Sequence, residues 1–210
     1  MSTPSPVISG ETESKWLNYY EWTSKSDKPW PTLSQAVQSF NEEEELERTA
    51  IDLGCGVGKD TAHMVKNNWK VTAIDAEKTA EEFLKKKIPS EKLDQVNFVV
   101  SKYEDYLFSE KVKLINASYA LPFCSPKNLG DVMQRITQAI SIGGRFAGHF
   151  FGPEDSWSKD DSMTFLTKKE VLQFFADSFV IEHFEEKEWD GISGSGAKHW
   201  HVFDIIAKKV

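Results

Sequence analysis

The segment Ala50-Ile51-Asp52-Leu53-Gly54-Cys55-Gly56-Val57-Gly58-Lys59-Asp60 constrains this chain more than any other. A short apolar run enters a turn with glycine at every second position, and a helical pattern follows at about 58–67. Without Cβ atoms the backbone can turn tightly there and approach a ligand closely. The spacing is G-x-G-x-G, which differs from the G-x-G-x-x-G that cradles a dinucleotide pyrophosphate. A G-x-x-x-x-G-K-[ST] loop for a nucleoside triphosphate is also missing.

Downstream, short apolar runs alternate with helical patterns. The strand candidates are Ala50–Leu53, Lys70–Ile74, Val96–Val100, Val112–Ala117, Arg145–Phe150, Phe179–Glu185 and Trp200–Lys208. Helices are predicted at about 77–86, 126–141 and 167–177. In the second of these, Leu129, Val132, Met133, Ile136 and Ile140 keep one apolar face, and Gly143 and Gly144 are read as its stop. Such alternation predicts βαβ units, an α/β fold and a parallel sheet with helices on both faces. The last two strands are separated only by a glycine-containing stretch without helical pattern, so they should form an antiparallel hairpin. Upstream, Trp16, Tyr19 and Tyr20 suit one face of a short helix. A second helix opens at Trp30-Pro31 with Leu33, Ala36, Val37 and Phe40 inward. Residues 1–12 read as a frayed, polar terminus, and Glu42–Glu45 as a solvated charge run.

The 210 residues carry 25 basic and 33 acidic side chains, a formal charge of −8. That balance disfavours a phosphate-backbone partner, which needs a basic face. No run reaches the length of a membrane span, and the start lacks a basic-then-apolar leader pattern. Two cysteines, Cys55 and Cys124, are too few for a disulfide framework. They point to a reducing, cytoplasmic setting and read as packed side chains. The expected partner is a small molecule.

Asp75 closes the second strand. A carboxylate at a strand tip, followed here by Ala76, can accept both hydrogen bonds of a ribose diol. Asp52, beside the glycines, can hold an ammonium group. Together these features describe a nucleoside site with a zwitterionic tail, the shape of S-adenosylmethionine. On these residues the chain resembles the class I S-adenosylmethionine-dependent methyltransferases over about residues 48–209. The resemblance implies a Rossmann-like three-layer sandwich whose seven-stranded, mostly parallel sheet has the order 3-2-1-4-5-7-6, strand 7 being antiparallel. It implies cofactor contacts from Asp52, Gly54, Gly56, Gly58 and Asp75, with S-adenosylhomocysteine as product. The adenine contact falls to Ser101, Lys102 or Tyr103, where many members carry an acid, and Asn116 ends the fourth strand beside the cofactor. Within that superfamily the chain is similar to small bacterial enzymes related to tellurite-resistance methyltransferases and to an uncharacterised branch, through Ser118–Phe123 and Lys198–Phe203. Residues 1–48 then form an arm over the site, and 49–210 the cofactor-binding domain.

The methyl acceptor is expected beyond the carboxyl ends of the strands. Tyr119, His149 and His199 should converge there as catalytic candidates, with loops 152–165 and 187–197 able to close over them. Asn116-Ala117-Ser118-Tyr119 lacks the prolines of the N-P-P-Y loop found in nucleobase and protein-amide methyltransferases. His199 and His201 share a strand face, and with His149 they can be read as metal ligands. Without an identifiable cysteine or carboxylate in fixed geometry they read as hydrogen-bonded histidines instead. The rival readings are a nicotinamide-dependent oxidoreductase and a non-catalytic cofactor-binding module.

Overall fold

The computed structural model describes residues 12–210, so the predicted frayed terminus lies outside the described residues except for Thr12, which opens the first helix. Its sheet contains β1 (Thr49–Leu53), β2 (Lys70–Asp75), β3 (Val96–Val100), β4 (Val112–Ala117), β5 (Ile140–Phe151), β6 (Phe179–Ser193) and β7 (Gly196–Lys209). Their order is β3-β2-β1-β4-β5-β7-β6. The first five strands pair in parallel, whereas β7 is antiparallel to both β5 and β6. The order and the terminal hairpin are those expected.

Helices α1 (Thr12–Thr23), α2 (Pro31–Glu42), α3 (Lys59–Lys66), α4 (Ala80–Lys87), α5 (Pro126–Ala139) and α6 (Lys168–Gln173) complete the layers. Alternation along the strands sorts the core by face. Leu33 and Phe40 of α2, Met64 of α3 and Leu84 of α4 pack with Ala50, Val71, Leu114 and Ile206. On the other face Leu129 and Ile136 of α5 and Val171 of α6 pack with Ile51, Ile115, Phe146 and Ile205. Each large apolar side chain buried this way contributes about 1.5–3 kcal/mol. Helix α2 is therefore a layer of the core, while α1 alone lies over the glycine turn, where Tyr20 meets Val57, Ala80 and Phe83.

Three expectations need correction. Helix α5 ends at Ala139, and β5 starts at Ile140, before the two glycines. The paired register then jumps from Val112↔Ile140 to Leu114↔Arg145. Gly143, with φ of +77°, lies inside this irregularity, so the glycines shape a bulge and not a helix stop. Residues 187–197 are strand and tight turn, paired from Lys187↔Val202 to Ser193↔Gly196, and so do not form a closing loop. Loop 152–165 is pinned down: Lys198 forms a fully buried ion pair with Asp155, and Thr164 N donates to Pro122 O.

Candidate functional site

The three glycines after β1 all have positive φ, +63° at Gly54, +52° at Gly56 and +79° at Gly58. A Cβ on Gly54 would lie 2.8 Å from Ala120 Cβ, and one on Gly58 2.9 Å from the Leu84 backbone. The protein's own packing demands those two. Gly56 differs, because a Cβ there would meet only the edge of Tyr20, at 3.7 Å. Its open side is the cradle of the turn, and α1 covers it.

Asp75, at the tip of β2, stands beside that cradle. Its Oδ2 accepts Gly56 N at 2.8 Å, and its Oδ1 accepts Glu77 N at 3.0 Å and the Tyr20 hydroxyl at 2.9 Å. Burial raises its pKa, against these hydrogen bonds. Beneath the turn, Asp52 accepts Thr61 Oγ1 at 2.5 Å and Asn116 Nδ2 at 2.7 Å. The same Asn116 amide reaches Asp60 at 3.1 Å, and Asp60 accepts Trp30 N at 3.0 Å. Burial and the Asp60 charge push the Asp52 carboxyl upward. Asp52 and Asn116 thus brace the turn from below and do not line its open side. Past β3, Ser101 N donates to Asp75 O at 2.9 Å, Lys102 is exposed, and Tyr103 donates to Ala120 O at 3.2 Å. These three residues and Ala76 flank the acid.

On the β4–β5–β7 side, Tyr119 takes φ of +54° just past its strand. Its ring stacks on His149 at 4.2 Å and meets Trp30 at 4.4 Å, while Lys59 lies over Trp30 at 3.8 Å. His149 Nε2 lies 3.1 Å from Thr32 Oγ1 and 3.6 Å from Asp204 Oδ1, and its Nδ1 has no hydrogen-bond partner among the described residues. Burial, with Lys187 and Lys59 adding to it, pushes the imidazole pKa down to about 3, so the ring is neutral. Burial pushes the Tyr119 hydroxyl upward. Phe151, Trp157 and Trp200 extend this aromatic wall, and the Lys198 ammonium sits 3.7 Å from the Trp157 ring.

His199 does not join Tyr119 and His149. The pairs His149↔Asp204 and Phe151↔Val202 put the even-numbered residues of β7 on the Tyr119 face, so His199 projects from the opposite one. There it contacts Asp190 at 2.8 Å, which raises its pKa. His201 shares that face, but its Nδ1 accepts Glu154 N at 3.2 Å and its Nε2 faces Glu186 at 3.2 Å. Two acid–histidine groups have ligand atoms close together, His183, Glu185 and Asp204, and Glu186, Glu188 and His201. In the first, the Lys187 ammonium already bridges Asp204 and Glu185. Cys55 and Cys124 are both buried, and burial pushes the Cys124 thiol up to about 12.

Sequence reasoning left Tyr20, Thr32 and Asp204 without site roles, and counted Trp30 only among the rim aromatics that suit a planar acceptor. Asp204 had a visible signal, a lone acid inside the apolar run Val202-Phe203-Asp204-Ile205-Ile206. Tyr20 gave only an aromatic helix face.

Residues 50–144 match the family model described as a methyltransferase domain. The match covers 95 of the 210 residues, somewhat under half of the chain. That match spans the glycine turn, Asp75, Asn116 and Tyr119, and stops before His149. The matched description agrees with the methyl transfer expected from the residues, and nothing in the comparisons supports a nicotinamide oxidoreductase. No curated protein sequence matches it significantly. Among solved structures it is similar to TehB from Haemophilus influenzae, at 14% identity and a TM-score of 0.72, covering 93% of this chain and 68% of that one. It is also similar to the 1,6-didemethyltoxoflavin-N1-methyltransferase of Burkholderia thailandensis, solved with its acceptor and S-adenosylhomocysteine (15% identity, TM-score 0.60, 99% and 93% coverage). A third neighbour is the glycopeptide N-methyltransferase MtfA, complexed with S-adenosylmethionine (12%, 0.59, 85% and 94%). At these identities the likeness establishes the fold. No described helix of the methyltransferase is long and apolar enough to cross a membrane.

Proposed function

We propose that this methyltransferase modifies a small molecule at the Tyr119–His149 side of the sheet edge, with its cofactor at the Gly56–Asp75 side. The observation that carries this reading is the adjacency of two unlike surfaces: a strand-tip carboxylate beside an open glycine, and a neutral aromatic wall one strand further on. The donor set fits the cofactor. Asp75 offers acceptors suited to a ribose diol, Gly56 gives backbone approach, and Ala76 with Ser101, Lys102 and Tyr103 stands beside Asp75, where the adenine would follow the ribose. Gly54 and Gly58 hold the turn's shape, and Asp52 and Asn116 hold it in place. S-adenosylmethionine supplies the electrophilic methyl group when bound.

The chain's own work is orientation and exclusion of water. Tyr119, Trp30 and Trp200 offer ring faces to a planar acceptor. His149, neutral and stacked on Tyr119, orients that ring and keeps the wall uncharged. We assign no role in the reaction to His199. A net charge of −8 supports a small acceptor over nucleic acid, and the two free cysteines fit a cytoplasmic setting. The toxoflavin and glycopeptide neighbours act on such non-polymeric acceptors, which supports the same class. Calorimetry with S-adenosylmethionine on the native protein and Asp75→Ala tests the cofactor half. Unchanged affinity in the variant removes Asp75 from it. Incubating the protein with methyl-labelled cofactor and a panel of small aromatic acceptors tests the other half, the expected result being label in a small product.

A further inference from the structure

The carboxylate proposed to hold the ribose is already in use. Asp75 accepts three hydrogen bonds, from Gly56 N, Glu77 N and the Tyr20 hydroxyl. A carboxylate has about four acceptor sites, and a ribose diol brings two more donors. Five donors exceed four sites, so one must leave. Gly56 N and Glu77 N belong to the turn and to the backbone just past Asp75. Tyr20 comes from 55 residues away, on α1. Its ring also stands on the open side of Gly56, 3.7 Å from where a Cβ would be. Tyr20 therefore sits in the cradle and on the acid at once.

We propose that Tyr20 is a gate on the cofactor site: its hydroxyl and the cofactor ribose are alternative partners of Asp75, and α1 swings out when the cofactor enters. This rests on the cofactor reading above. The rest of the arm is built for such a motion. Past α1, residues 24–30 join it to α2, which is anchored by Trp30 N on Asp60 and by Thr32 against His149. That joint is held at its exposed start by one side chain, Lys87, whose ammonium contacts Ser24 O at 2.9 Å and Asp27 at 2.5 Å. Helix α1 itself contributes Trp16, Tyr19 and Tyr20 to a small aromatic cluster, with Trp22 left half-exposed. Beyond that cluster α1 meets Phe123 through Trp16, at 5.5 Å, and Gly194 of the β6–β7 turn through Tyr19, so its departure gives up those two contacts while α2 stays in the core. A gate of this kind keeps a low-dielectric, water-poor cradle closed until a ligand replaces the hydrogen bond that opens it.

The experiment measures S-adenosylhomocysteine affinity by calorimetry for the native protein and Tyr20→Phe, and amide exchange across residues 12–23 of the native protein with and without that ligand. Phenylalanine keeps the ring and removes the competing donor. A hydrogen bond to a charged acceptor corresponds to about tenfold or more in affinity, so Tyr20→Phe should bind at least several-fold tighter. Exchange in α1 should accelerate on binding. Equal or weaker binding by Tyr20→Phe overturns the gate, and so does slower exchange in α1, which would make the helix a cap that ligand tightens. Absence of binding by both proteins overturns the cofactor reading beneath it, a result distinct from either of these.

Discussion

On the β1–β2 side of the sheet edge, the groups that shape the site come from one strand–turn–helix–strand unit, Asp52 to Asp75. On the β4–β5–β7 side, Trp30, Tyr119, His149 and Asp204 come from separate parts of the chain and meet only because the sheet brings them together. The first side is made of backbone and one carboxylate. Its conformation follows from local requirements, positive φ at the glycines and a strand end at Asp75. The second is made of side chains, and its chemistry follows from burial. His149 is neutral because of where it lies, and Asp204 keeps an oxygen without a hydrogen-bond partner among the described residues because the sheet covers it. One side is a shape that most ligands of a kind can use. The other is built mostly from residues outside the family match, which spans 50–144.

The largest effect should come from the support of the second side. Asp155→Ala leaves the Lys198 ammonium buried without its partner, under Trp157 and Trp200. Removing one member of a buried pair costs about 3–5 kcal/mol. Urea denaturation should show that loss, while cofactor affinity in the still-folded fraction stays native. Weakened cofactor binding there would break the separation between the two sides. Next, Asp75→Ala should lower cofactor affinity roughly 10- to 100-fold, from losing charge-assisted hydrogen bonds, and cost about 1–3 kcal/mol of stability by stranding the Gly56, Glu77 and Tyr20 donors. Gly58→Ala follows. Its φ of +79° and the Leu84 backbone at 2.9 Å predict a destabilisation of about 1–3 kcal/mol, read as a fall in Tm.

A pH series isolates His149. Its folded pKa, about 3, lies below the ordinary value of 6.5. The unfolded chain therefore takes up a proton as pH falls through 6.5, and the folded chain does so only near 3. Stability contributed above 6.5 is lost progressively toward 3, by up to a few kcal/mol. In His149→Gln, unfolding free energies at pH 7 and pH 4.5 should differ less than in the native protein; an equal difference assigns the acid sensitivity elsewhere. The smallest effect should be that of His199→Ala. Its ring lies on the far face with Asp190, so turnover should stay within about twofold. A large loss would return His199 to the acceptor side.

Reading the glycine spacing and the strand-end acid was enough to expect the tight turn after β1 and the acid at the tip of β2, because both are demands on backbone conformation that residue type expresses directly. The hairpin of β6 and β7 was legible for a similar reason: its connection has no room for a crossover helix. Two misreadings shared one cause. Gly143 and Gly144 looked like a helix stop and 187–197 like a loop, yet each lies within the β5–β7 region, where cross-strand pairing overrides local propensity. His199 was misplaced by one strand position, which in a sheet is a change of face.

Sequence by itself determined the α/β architecture, the strand order through its family resemblance, and the glycine turn after β1. Only the tertiary structure decided that Asp52 supports and Asp75 presents, that Tyr119 lies against His149 and not near His199, and that Tyr20 reaches Asp75 from 55 residues away. The physical reason is the range of the forces concerned. Glycine's freedom and strand periodicity act between neighbours along the chain. Desolvation, ring stacking and competition for a carboxylate depend on which distant atoms the fold brings within a few ångströms.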